Sequence, residues 1–196
     1  MTALTRIRDD LFQTRRDSPF PGLTTHAYLW RGPAGNLLFY NPATAAQFDV
    51  FDELGGIAAQ YLSHLDEAGP TLASLAERFG RRLHAPAAEA EEIGRHGHID
   101  VAIPAVRHVD DNGVEVLPTP GHSPGSVSFH WNDHLFSGDV LFRMSVGRTD
   151  LRGGSSRELY ESIHSVLFKF PDDTTVCPGH GPATTIGFEK KHNPYV

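Results

Sequence analysis

Several short stretches place a histidine or an acid where an apolar run gives way to a turn. His122 stands in Leu117-Pro-Thr-Pro-Gly-His-Ser-Pro-Gly-Ser-Val127, a turn-dense segment between apolar runs, and Asp139 follows directly in Leu135-Phe-Ser-Gly-Asp-Val-Leu-Phe142. Turn residues bounding apolar runs mark strand ends, so both side chains are placed on one rim. The design recurs in Thr175-Val-Cys-Pro-Gly-His-Gly181, which supplies His180, and the apolar run from Ile57 ends in His64, Asp66 and Glu67 before Gly69. Imidazoles and carboxylates delivered from four strand ends to one side of a sheet are the donors a divalent metal needs.

The elements that must position these residues are mixed. Thr24–Trp30 and Asn36–Tyr40 read as a hairpin closed by Arg31-Gly-Pro-Ala-Gly35, and Ile57–Leu62 reads as a buried strand. Thr44–Leu54 has helical spacing, with Thr44 and Gln47 as a capping box, and Thr71–Phe79 reads as a helix stopped by Gly80. Strands are expected at Val114–Leu117, Ser126–Trp131 and His134–Ser137. A helix capped by Ser155 or Ser156 and running through Leu167 follows, and Pro171–Thr174 turns the chain into the strand that bears His180. Strands with helices at intervals, without strict alternation, suggest two packed sheets with helices outside.

Composition narrows the function classes. The 196 residues suit one domain over 1–196, large enough to bury a core without crosslinks. Net charge is −7 and no Lys/Arg run occurs, so a nucleic-acid partner is not expected and a small-molecule substrate is. The single cysteine, Cys177, lies in an apolar run and reads as a buried, inert thiol. No apolar stretch approaches membrane length, and the first residues carry Arg6, Arg8, Asp9 and Asp10 in place of an apolar leader. A cytoplasmic protein without membrane association is the expectation.

Thr119-Pro-Gly-His-Ser-Pro-Gly-Ser126, Phe136-Ser-Gly-Asp-Val-Leu-Phe142, Gly147-Arg-Thr-Asp-Leu151 and Pro178-Gly-His-Gly-Pro-Ala-Thr-Thr-Ile-Gly-Phe-Glu189 together resemble the metallo-β-lactamase superfamily, in its small glyoxalase II-like branch. The resemblance implies an α/β fold, a four-layer αββα sandwich. It also places the family's first motif, H-x-H-x-D-H, on residues 62–67, with Leu62 at the first histidine and Glu67 at the last. His96-Gly-His-Ile-Asp100 fits the pattern more literally, but it follows the polar Glu89-Ala-Glu-Glu92 instead of a buried strand and lies close to His122 in the chain. It reads as a solvated loop.

By the same resemblance His64, His122 and Asp139 line a first metal pocket. Asp66, Glu67, His180 and a bridging Asp139 line a second. Two imidazoles and a carboxylate suit iron(II) or, with a water, zinc, while the extra carboxylate of Glu67 makes the second pocket harder and favours manganese, iron or magnesium. One or two divalent ions, zinc, iron or manganese, are the implied cofactors.

The implied activity is metal-dependent hydrolysis of a small thioester or lactone, with Asp66 orienting a water or accepting its proton. The chain ends at Val196 without the C-terminal domain that larger glyoxalase II enzymes use for glutathione, which argues against a glutathione thioester. Two other classes fit the residues. One is a mononuclear iron oxidoreductase of the persulfide dioxygenase type, using His64, His122 and Asp139. The other is a non-catalytic member whose site has decayed at Leu62 and Glu67.

Overall fold

The computed structural model describes residues 4–14, 17–20 and 23–196. Chain contacts divide it into two compact units, one built from the chain up to Leu62 with Asp66–Ala85 and Ala90–Ile103, the other from Ser63–Leu65, Pro86–Glu89 and Pro104–Val196.

The first unit holds a mixed sheet in the order Thr5–Arg6, Leu11–Gln13, Tyr28–Trp30, Leu37–Phe39, Ala59–Tyr61, Arg82–Pro86, Val101–Ile103. The expected hairpin is present, with Tyr28 opposite Phe39 and Trp30 opposite Leu37. Pairing turns parallel where Leu37–Phe39 meets Ala59–Tyr61 and again where the latter meets Arg82–Pro86. Parallel central strands are covered on both faces and read as continuous apolar runs; Phe39, Tyr61 and Leu83 are accordingly fully buried. The helix Thr71–Phe79 has the boundaries its spacing predicts and ends on Gly80 at φ +60°. One expectation is corrected. The helix after Asn41 spans only Phe48–Glu53, and its cap residue Gln47 makes no side-chain capping bond. Regular helix begins only where Phe48 and Phe51 can bury.

The second unit holds a sheet in the order His108–Val109, Glu115–Pro118, Val127–Trp131, His134–Gly138, Thr175–Pro178, Thr184–Thr185. Neighbours are antiparallel except His134–Gly138 with Thr175–Pro178, which run parallel with an irregularity between Phe136 and Gly138. The connection between these two strands carries the helix Ser156–Ser165, capped by the Ser155 hydroxyl accepting the Glu158 amide at 3.3 Å. Leu159 and Ile163 of that helix pack with Leu117, Leu135, Leu141, Val176 and Ile186 in one core cluster. This core fixes the ends of the central strands, and those ends carry Asp139 and the turn of His180.

Candidate metal centre

Four of the singled-out side chains, His64, His122, Asp139 and His180, belong to the second unit and converge. Asp139 follows the strand His134–Gly138 and is the hub. Its Oδ2 lies 3.0 Å from His180 Nε2, 3.7 Å from His64 Nε2 and 4.0 Å from His122 Nε2, and its side chain is 12% exposed. The rings of His64 and His122 meet edge to face with centroids 4.7 Å apart. Both are buried.

Each imidazole is held by a partner away from the hub. His122 Nδ1 sits 2.9 Å from the Arg148 carbonyl oxygen. A carbonyl can only accept, so Nδ1 carries the proton and the lone pair is on Nε2, the nitrogen facing Asp139. His64 Nδ1 lies 2.9 Å from the Ser63 hydroxyl, and the Ser63 carbonyl accepts the Val127 amide at 2.9 Å, tying this turn to the strand Val127–Trp131. His180 packs the edge of its ring near Phe142, with centroids 5.6 Å apart.

Burial acts to raise the pKa of Asp139, but the neighbouring His64, a hydrogen bond and charge from His180, and His122 outweigh it, and the net direction is downward. Asp139 is thus held as a carboxylate. The donor set can be tested against a cation by distance. Ligand atoms 2.0 to 2.2 Å from one ion stand roughly 3 to 3.5 Å from each other in tetrahedral or octahedral shells. Of the separations around Asp139 Oδ2, 3.0 Å lies at the lower end of that range and 3.7 and 4.0 Å lie a few tenths of an ångström beyond it, so a small inward shift of His64 and His122 would fit these residues to a divalent metal.

Asp66 and Glu67 lie on the 3-10 turn Leu65–Glu67 that continues the chain from His64. Asp66 is exposed. Glu67 is half-buried. Within the first unit the Asn41 amide donates to the Glu67 carbonyl at 3.0 Å and to Thr71 Oγ1 at 2.8 Å, and receives the Gln60 amide at 3.1 Å. Asn41 thus ties down the Glu67 backbone. Leu62 is fully buried.

His96 and His98 are exposed, and Asp100 turns back to accept the Leu83 amide at 2.7 Å, so 96–100 is the solvated loop its polar context suggests. Cys177 is buried, and burial raises its thiol pKa, which suits an inert side chain. Two contributors escaped sequence reasoning. The Arg148 carbonyl acts through its backbone, which residue type does not reveal, although the Gly147-Arg-Thr-Asp stretch marked the loop. Ser63 stood beside His64 without a distinguishing signal.

Residues 49–180 match the family described as the Metallo-beta-lactamase superfamily. An 85-residue stretch is 49% identical to a probable metallo-hydrolase of Bacillus subtilis, YqgX, covering 42% of this chain and only 40% of that relative's length. A longer stretch of 153 residues is 33% identical to hydroxyacylglutathione hydrolase GloC of Haemophilus influenzae, covering 68% of this chain and 72% of that protein. Among solved structures, that of TTHA1623 in a di-iron-bound form shares the fold with a TM-score of 0.74 at 31% identity, covering 90% of this chain and 98% of the other.

Proposed function

Because this chain belongs to the metallo-β-lactamase superfamily, we propose that it is a metal-dependent hydrolase of a small thioester, with His64, His122, Asp139 and His180 holding the metal and Asp66 handling the proton. The observation that carries this reading is the convergence of three imidazoles on Asp139 Oδ2. Structural ion pairs rarely bring three imidazoles to one largely buried carboxylate, whereas a metal requires several neutral nitrogens and an anionic oxygen together.

A divalent ion held there would polarise a substrate carbonyl and lower the pKa of a water. The protein's own residues do the rest. The Arg148 carbonyl fixes the His122 tautomer, so that this ring offers a lone pair at Nε2. Asp139 supplies the negative charge that keeps the cluster attractive to a cation. Asp66, an exposed carboxylate, would accept the proton of an attacking water. Glu67 would add a carboxylate ligand for a second metal.

Thioesters are preferred over lactones because the relative with 72% of its length matched carries the name hydroxyacylglutathione hydrolase. That relative also returns a hydroxyacyl-glutathione thioester to the candidates, against the argument from the chain's end at Val196. The test is hydrolysis of a thioester and lactone panel by protein loaded with zinc, iron or manganese. Thioester cleavage that disappears on chelation and returns with metal supports the reading. Oxygen uptake on a persulfide by the iron form, without thioester cleavage, would replace it with the oxidoreductase reading, and metal binding without either activity would leave a non-catalytic member.

A further inference from the structure

We infer that Glu89 is a positioning residue for His122, holding the turn that carries the imidazole; this rests on His122 being a metal ligand. Glu89 closes the 3-10 turn Ala87–Glu89 and is 4% exposed. Its Oε1 accepts the Gly125 amide at 3.0 Å, three residues beyond His122. An added Cβ at Gly125 would lie 2.6 Å from Glu89 Cγ, so a side chain there would displace Glu89. The carboxylate is pressed onto the turn itself.

The bonds of the His122 turn show what this contact adds. Between Ser123 and Ser126 the turn closes on itself, with the Ser123 amide donating to Ser126 Oγ at 3.1 Å and the two hydroxyls 2.8 Å apart. Before His122 the turn is anchored from outside, the Gly121 carbonyl accepting the Ser155 amide at 2.8 Å and the Pro120 carbonyl accepting the Ser162 hydroxyl at 2.7 Å. After His122 the outside anchor at Gly125 is Glu89. The backbone of the turn is thus held from outside on both sides of His122, and Glu89 is the anchor at Gly125.

Stability alone does not account for a glutamate at this position. Glu89 Oε2 is buried and makes no hydrogen bond among the described residues. Burying a carboxylate oxygen without a partner costs stability, and a glutamine oxygen could accept the Gly125 amide without burying a charge. What the charge adds is a stiffer hold, since a charge-assisted hydrogen bond is roughly twice as strong as a neutral one. Partners that orient metal-binding histidines act on metal affinity in this way.

The test is a Co2+ titration followed by visible absorption, run with thermal melts on the intact protein, Glu89→Gln and Glu89→Asp. Glu89→Gln is expected to melt at or above the parent temperature yet bind Co2+ a few-fold more weakly. Glu89→Asp keeps the charge but is one methylene too short to reach Gly125, and is expected to lose about 10- to 100-fold in affinity. If only Glu89→Asp loses affinity, the hold is by hydrogen bond alone and the positioning role stands. If both variants bind Co2+ within about twofold of the parent, whatever their melting temperatures, Glu89 is merely structural and the inference is overturned. If the parent itself takes up no Co2+, the metal-dependent reading and this inference fall together.

Discussion

Asp139 Oδ2 and His180 Nε2 face each other at 3.0 Å from the ends of two parallel strands, His134–Gly138 and Thr175–Pro178. The contact joins strand ends separated in the chain by the helix Ser156–Ser165. It makes Asp139 the shared carboxylate of the cluster, since the same oxygen also lies nearest to His64 and His122. Asp139→Asn keeps the shape and removes the charge. Metal affinity should fall by about 100-fold or more, beyond the range typical of outer partners, as read by Co2+ titration. Unchanged affinity would show that the metal, if bound, lies elsewhere.

Gly147 lets the following loop approach Asp139 closely enough for the Arg148 carbonyl to reach His122. A Cβ at Gly147 would lie 1.7 Å from the Asp139 carbonyl oxygen and 3.4 Å from His122 Cβ. Backbone cannot yield as a flexible side chain does, so Gly147→Ala should destabilise the protein by about 1 to 3 kcal/mol or more and lower metal occupancy. A thermal melt and metal analysis of one preparation check both. A variant that melts and loads like the parent would mean that the loop can stand away from Asp139 without consequence.

Much of this site was legible because strand ends announce themselves. Pro-Gly turns around His122 and His180, and the Gly138-Asp139 step after an apolar run, mark the places where backbone pairing stops and side chains reach a rim. The helix Thr71–Phe79 was equally clear, with an apolar face and a glycine at its end. The helix after Asn41 shows the opposite case: the spacing suggests a start at Thr44, but regular helix begins at Phe48, where burial supports it. Glu89 and the Arg148 carbonyl were illegible because they act across 36 and 26 residues through backbone groups. Nothing in a residue's type states which distant amide or carbonyl it will meet.

Leu62 is a fully buried leucine, and aligning the family motif on residues 62–67 would set it at the first histidine. Leu62→His should raise zinc occupancy relative to the parent, because it restores an imidazole to the motif. The paired control, His96→Ala with His98→Ala, removes the literal H-x-H pattern from the exposed loop and should leave metal content unchanged. Zinc uptake indifferent to Leu62→His but lost in the control would move the first motif to 96–100.

Glu67 separates a second metal pocket from a bare turn. If its carboxylate is a ligand, Glu67→Gln should lower the metal-to-protein ratio while the fold persists, and Glu67→His should restore it with a preference for zinc. If it is only a turn residue, the exchange changes no metal content. The ligand outcome is the one expected. Metal analysis of the three proteins side by side decides it.

The most direct measurement is elemental analysis of the protein purified without added metal, and again after incubation with zinc, iron(II) or manganese(II) and removal of the excess. The convergence of His64, His122 and His180 on Asp139 predicts at least about one equivalent of bound transition metal, falling sharply when His122 and His180 are both replaced by alanine. Less than about one tenth of an equivalent of any metal after supplementation would contradict it, because such sites bind tightly when intact.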